Sequence, residues 1–273
     1  MRALNTLQRH GINAIAVYVQ GSHGGWPDPE AGLNGFERDG RLKKDVAGRL
    51  EWLVREADAR GMVVLVGILS PRKDQVLEGK EAVRRAITET AAFRQRRGLR
   101  NVMVDIAHEF DHTERMDRPI LREPGGEAKK ERLVGWFHDA SRGVEVGVCP
   151  YEKSVTTDSL PGMDLRIIRK SMAIPDQGFV VNVESQKQDA YENDDFFSEA
   201  HVDYVVADGE RYLAAPNAVL FFHAAFIQGI GSFSGTAPHP EMGAGVRRRA
   251  TGACASTTSG CVEMSGPGSS SGM

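Results

Sequence analysis

Two glutamates stand where side-chain chemistry is expected. Glu109 follows the β-type run Val102-Met103-Val104-Asp105-Ile106-Ala107, and Glu184 ends the run Phe179-Val180-Val181-Asn182-Val183. Carboxyl groups at the ends of separate strands suit glycosidic cleavage. One, protonated, releases the leaving group and the other, ionised, attacks; the retaining form of that reaction places them about 5 Å apart. Spacing alone marks a location, since a glutamate at a strand end is more often a solvated loop charge. A second pattern overlaps the first. His108-Glu109-Phe110-Asp111-His112 reads His-Glu-x-x-His, in which two histidines one helical turn apart bind zinc and the glutamate activates water. That chemistry needs a helix. Here the preceding run is β-type, Asp111 adds a charge inside the motif, and Asp117 and Pro119 would stop a helix early. Zinc proteolysis is the weaker reading, and no metal or organic cofactor is expected.

Other side chains are placed to touch a ligand. Tyr18, Gln20, His23 and Trp26 follow the first visible strand, and aromatic faces bury the apolar C–H surface of sugar rings. His112 and Tyr151 follow later strands and are candidates to line the same cleft. Asp74 and Gln75, beyond Pro71, read as a solvated turn, and Leu133, Trp136 and Phe137 share a helical stripe of core type.

The elements that must position these residues follow from a repeated junction of helix, glycine and β-branched run. It occurs at Gly11, Gly61, Gly98 and Gly143. Glycine accepts the left-handed conformation that stops a helix, and the Arg just before three of these glycines suits the negative end of the helix dipole. Val46, Leu50, Leu53, Val54 and Ala57 fall on one helical stripe. The strands are nearly continuous apolar runs, which signals burial on both faces and hence a parallel sheet under helices. We read seven strands: 12–19, 62–69, 102–106, 144–148, 165–168, 179–183 and 202–207. Right-handed crossovers curl such a sheet into a TIM-type (β/α)8 barrel. Because the chain opens inside a helix, the first strand of the eight is expected to be missing, ahead of Met1. The barrel domain is assigned to 1–231, and the Gly/Ser-rich stretch 232–273, with its Arg247-Arg248-Arg249 run, is expected to be a disordered tail. Loops 21–41 and 111–126 follow strands on the carboxyl face, where barrel sites are built.

Composition narrows the partners. With 273 residues, 34 basic and 37 acidic side chains and a net charge of −3, nothing favours nucleic acid or an anionic membrane. No apolar run approaches the ~20 residues of a membrane span. The chain start has no signal-peptide character, and three cysteines make no disulfide framework. The chain reads as soluble, with compartment and oligomeric state left open.

Specific stretches resemble the cellulase-like clan A glycoside hydrolases. Arg49-Leu50-Glu51-Trp52-Leu53 and Ala57-Asp58-Ala59-Arg60-Gly61-Met62-Val63-Val64 look like that family's passage into its third strand. Leu99-Arg100-Asn101-Val102 and Asp105-Ile106-Ala107-His108-Glu109 resemble its fourth strand, and Val180-Val181-Asn182-Val183-Glu184 its seventh. The resemblance implies a retaining O-glycosyl hydrolase acting on a β-linked oligo- or polysaccharide, with Glu109 as acid/base and Glu184 as nucleophile. His108, Tyr18, Trp26, His112, Tyr151 and Tyr204 would bind substrate. Three departures are plain: His108 replaces the family's asparagine, Arg169-Lys170 its frequent site histidine, and Tyr204 is the nearest substitute for its tryptophan platform. The first two favour the alternative of a non-catalytic carbohydrate-binding barrel.

Overall fold

The computed structural model describes residues 2–20, 34–71, 73–112, 116–122, 127–151, 162–169, 172–185 and 199–222. His23, Trp26 and the tail 232–273 lie outside them. The chain alternates helix and strand: α1 Arg2–Arg9, β1 Ala14–Tyr18, α2 Lys44–Asp58, β2 Val63–Leu69, α3 Lys80–Arg97, β3 Val102–Ala107, α4 Pro119–Arg122, α5 Glu127–Ala140, β4 Val146–Gly147, β5 Leu165–Ile168, β6 Phe179–Ser185, α6 Glu199–Leu213 and β7 Ala218–Phe222. The four junction glycines all sit at positive φ, between 62° and 76°, as the helix-stop reading requires.

Every strand pair is parallel. β1-β2-β3-β4 form one sheet and β5-β6-β7 another. The Asp164 N–H donates to the Val146 carbonyl at 3.0 Å where the sheets meet, and β7 lies beside β1. The result is the expected TIM-type α/β architecture. Alternation along the strands sorts two cores. Val64, Val66, Ile68, Val102, Val104 and Ile106 face the helices with Val54, Val83, Ile87, Leu133 and Phe137. Leu65, Met103, Leu165, Ile167, Val181, Phe221 and Cys149 fill the interior, the layered filling typical of such barrels.

One element differs from expectation. Residues 202–207, read as the last strand, belong to α6. Val205, Asp208, Gly209 and Tyr212 are buried among its described positions, a spacing of three and four that only a helix places on one face. The last described strand is β7, and its Ala218-Val219-Leu220-Phe221-Phe222 run is the true carrier of the β pattern. Among the described residues, no helix is long and apolar enough to cross a membrane.

Asp74 also departs from expectation: it is buried rather than solvated. Its Oδ2 accepts the backbone N–H groups of Asp117 and Arg118 at 2.8 and 2.6 Å, fastening the turn after β2 to the loop after β3. Burial pushes its carboxyl up to about 6, against the pull of those N–H groups. A carboxyl raised on folding stabilises the native state below about pH 4 and loses that contribution as pH climbs to about 6. Denaturant melts between pH 4 and 7 should show stability falling by at most about 3 kcal/mol from this group. Asp74→Asn should flatten that slope; an unchanged slope would remove Asp74 as its source.

Candidate active site

The interior-facing residues at the carboxyl ends of β1, β3, β4, β5 and β6 converge on one mouth of the barrel. β3 delivers Asp105 on the same face as Met103 and runs into the turn His108–Asp111. Glu109 in that turn has φ 51°, the sole positive φ at a non-glycine residue among those described. A side chain in this region costs on the order of 1 kcal/mol and persists where the surroundings over-determine it. The same turn removes the helix that a His-Glu-x-x-His zinc motif requires, so that reading fails on geometry.

β6 reaches the site through a different irregularity. Its register with β7 runs Val180↔Ala218, Val181↔Val219 and Asn182↔Leu220, then shifts so that Ser185 pairs with Phe222. The extra residue is a bulge, a device that re-aims side chains beside sites. Before it, Phe179, Val181 and Val183 pack in the interior, while Asn182 points the other way and donates to the Tyr212 hydroxyl of α6 at 2.7 Å. Strict alternation would send Glu184 outward with Asn182. The bulge turns it in, and Asn182 Oδ1 accepts the Glu184 N–H at 2.9 Å, which fixes the turned backbone.

Arg169, the residue after β5, joins the two carboxylates. Its Nη2 lies 2.5 Å from Glu109 Oε1 and also contacts Glu184 Oε2, which further accepts Nε at 2.8 Å. All three side chains are sealed, with Arg169 at 3%, Glu109 at 3% and Glu184 at 5% exposure. Burial works against the guanidinium's charge, but Glu184 and Glu109 outweigh it and hold its proton well above the usual range. The arginine ring-stacks as well: its guanidinium sits 5.3 Å from the Tyr151 ring centroid, and Tyr151 packs against His112 at 4.1 Å. The Tyr151 N–H donates to Asp111 Oδ1 at 2.5 Å, tying the loops after β3 and β4 together.

Beneath this layer lies a second polar cluster. His108 Nδ1 contacts Asp105 Oδ2 at 3.1 Å and the Tyr18 hydroxyl at 3.2 Å. The Tyr18 ring lies across Gly67, where even a Cβ would come within 1.9 Å of it. That close approach is why the middle of β2 carries a glycine. Burial opposes a charged His108, yet Cys149 and Asp105 raise its pKa well above the usual value. Burial also pushes up the Cys149 thiol and the Asp105 carboxyl.

The structure thus brings together Glu109, Glu184, His108, His112, Tyr18 and Tyr151. Tyr204 is not among them: it is half-buried on α6, away from any strand end, because its run is helical. Sequence reasoning passed over Arg169 as a bridging group, Asn182 as the brace of the bulge, and Asp105 and Cys149 altogether. The Val-Asn-Val-Glu run gave no sign of a register shift, though the inward period of two would have placed Asp105 beside Met103.

No protein-family model matches the chain, and no curated protein matches it in sequence. Solved structures do share its fold. A family 5 glycoside hydrolase from Bacteroides vulgatus aligns over 87% of this chain at 13% identity, with a TM-score of 0.60, and the chain spans 57% of that protein's length. A variant of a family 5 enzyme from Prevotella bryantii, solved with a xyloglucan tetradecasaccharide, covers 93% of this chain and 86% of its own at 11% identity and a TM-score of 0.59. One of two fungal β-1,4-galactanases covers 91% of both chains at 12% identity and a TM-score of 0.56. At such identities the likeness establishes the fold.

Proposed function

We propose that the protein is a retaining O-glycosyl hydrolase of the cellulase-like clan A type, acting on a β-linked glycan. The observation that carries this reading is that Glu109 and Glu184, from separate strands, touch one nitrogen of Arg169. Their oxygens can be no further apart than those two contacts laid end to end. That agrees with the ~5–5.5 Å of retaining enzymes and falls short of the ~6.5–9.5 Å that leaves room for a water. The β-1,4-galactanases and the xyloglucan complex among the structural neighbours support a glycan as the substrate class.

In this reading Glu109 protonates the departing glycosidic oxygen while Glu184 attacks the anomeric carbon and forms a glycosyl-enzyme. Glu109 then deprotonates the water that releases the sugar. The Arg169–Glu109 contact must give way as the saccharide enters, because the acid needs a proton where the guanidinium now sits. The Arg169 Nε contact can remain on Glu184 and hold it in place. Tyr151 and His112 would offer the ring surface for the sugar, with Trp26 a further candidate.

Arg169 also favours a second reading, a saccharide-binding barrel without turnover, since a cation lodged between the carboxylates blocks the reacting position. Trapping separates the two. Dinitrophenyl 2-deoxy-2-fluoro-β-glycosides of glucose, mannose, galactose and xylose should leave a mass increment on the peptide carrying Glu184. Saccharide binding with neither adduct nor release of dinitrophenol across the series would decide for the binding barrel.

A further inference from the structure

The cluster below the carboxylates is built from donors that the glycosidic reaction does not use. Asp105 pairs in register with Gly147, so Cys149, two residues further on, projects to the same inner side of the neighbouring strand. His108 comes back to them from the turn after β3. A carboxylate oxygen of Asp105, a ring nitrogen of His108 and the Cys149 sulfur lie within 4.8 Å of one another, all buried. Cys149 is a free thiol. Asp105 is wholly buried, and its Oδ1 makes no hydrogen bond; burial raises its carboxyl, against the pull of His108 and of the Cys149 and Ala107 N–H groups. A carboxylate oxygen shut away from water without a donor is costly, and a cation is what would satisfy it.

We propose that Asp105, His108 and Cys149 form a binding site for one zinc ion. Thiolate, imidazole and carboxylate are the donor types zinc takes, and three protein ligands leave one tetrahedral position for a further donor. Around a tetrahedral zinc such donors stand roughly 3.3–3.7 Å apart, so side-chain adjustments of about an ångström close the site. The strands that hold Asp105 and the segment that holds Cys149 are packed in the interior core, which limits the alternatives. Zinc takes Cys149 as a thiolate and His108 as a neutral imidazole, so binding releases to solvent the thiol proton and, where His108 is charged, its second ring proton. The site shares His108 with the His-Glu-x-x-His pattern but not His112, and it does not depend on glycosidic activity.

Cobalt tests it. The full chain carries three cysteines; with Cys254→Ser and Cys261→Ser, Cys149 is the remaining thiol. After chelator treatment, Co2+ alone should bind at one ion per chain and produce a near-ultraviolet thiolate-to-cobalt band that equimolar Zn2+ removes. Cys149→Ser should abolish the band, His108→Ala and Asp105→Asn should weaken binding by about 10-fold or more, and His112→Ala should leave it unchanged. No cobalt uptake by the folded protein, a spectrum without the thiolate band, or a band surviving Cys149→Ser would overturn the proposal. So would loss of the site in His112→Ala. If Cys149→Ser does not fold, the rise in melting temperature that Zn2+ gives the parent chain decides, since His108→Ala should lack it.

Discussion

Glu184→Gln should lower turnover of an aryl β-glycoside by on the order of 10⁴-fold or more, because the amide keeps the shape of the carboxylate but cannot form the glycosyl-enzyme. Glu109→Gln should behave differently. General acid assistance is worth roughly 10²–10⁴-fold, and it matters in proportion to how poorly the leaving group departs. The Glu109 variant should therefore lose most activity on an alkyl or sugar aglycone and least on a dinitrophenyl one. Added azide should rescue it, giving a glycosyl azide of the starting anomeric configuration, since an anion needs no base. Full activity in either variant, with its melting temperature unchanged, would remove that residue from its assigned role. Equal losses across all leaving groups would remove Glu109 from the acid's role alone.

Arg169→Met should be the most destabilising single substitution at the site. Glu109 and Glu184 are both buried against the guanidinium, and deleting one partner of such a group leaves charge in the interior without compensation, at a cost of about 3–5 kcal/mol. Arg169→Lys should cost less, because an ammonium keeps the charge, but not nothing, since it cannot span both carboxylates with a fixed planar fork. The decisive measurement is urea unfolding of a cycle. Adding Glu109→Gln and Glu184→Gln to Arg169→Met removes the stranded charges and should recover most of the loss. Additive penalties would mean that the arginine matters for its packing on Tyr151 rather than for its charge.

The barrel was legible because its signals are local. A glycine at 61 or 98 after a cationic turn, followed by Val63-Val64-Leu65-Val66 or Val102-Met103-Val104, needs no knowledge of the rest of the chain, and both carboxylates could be placed at strand ends on that basis. The stretch 202–207 misled because Val202, Tyr204 and Val206 alternate as in a strand. What decides it is the burial of Asp208 and Tyr212 one and two turns on, and that depends on packing against β5 and β6. Arg169 was illegible for a related reason. Its partners are 60 and 15 residues away, and no local pattern distinguishes a guanidinium that crosses a cleft from one that faces water. The bulge at 182–185 belongs to the pairing of two strands, and a single strand's sequence does not contain it.

Glu109 rides on the sheet of β1 to β4, and Glu184 on the sheet of β5 to β7. Neither half of the protein owns the gap between them. It is set where Val146 and Asp164 meet and by an arginine that leaves one half to grip the other. Under the proposed reaction, the span that decides between direct attack and admission of a water is held by that joint and by Arg169 rather than by either wall of the cleft.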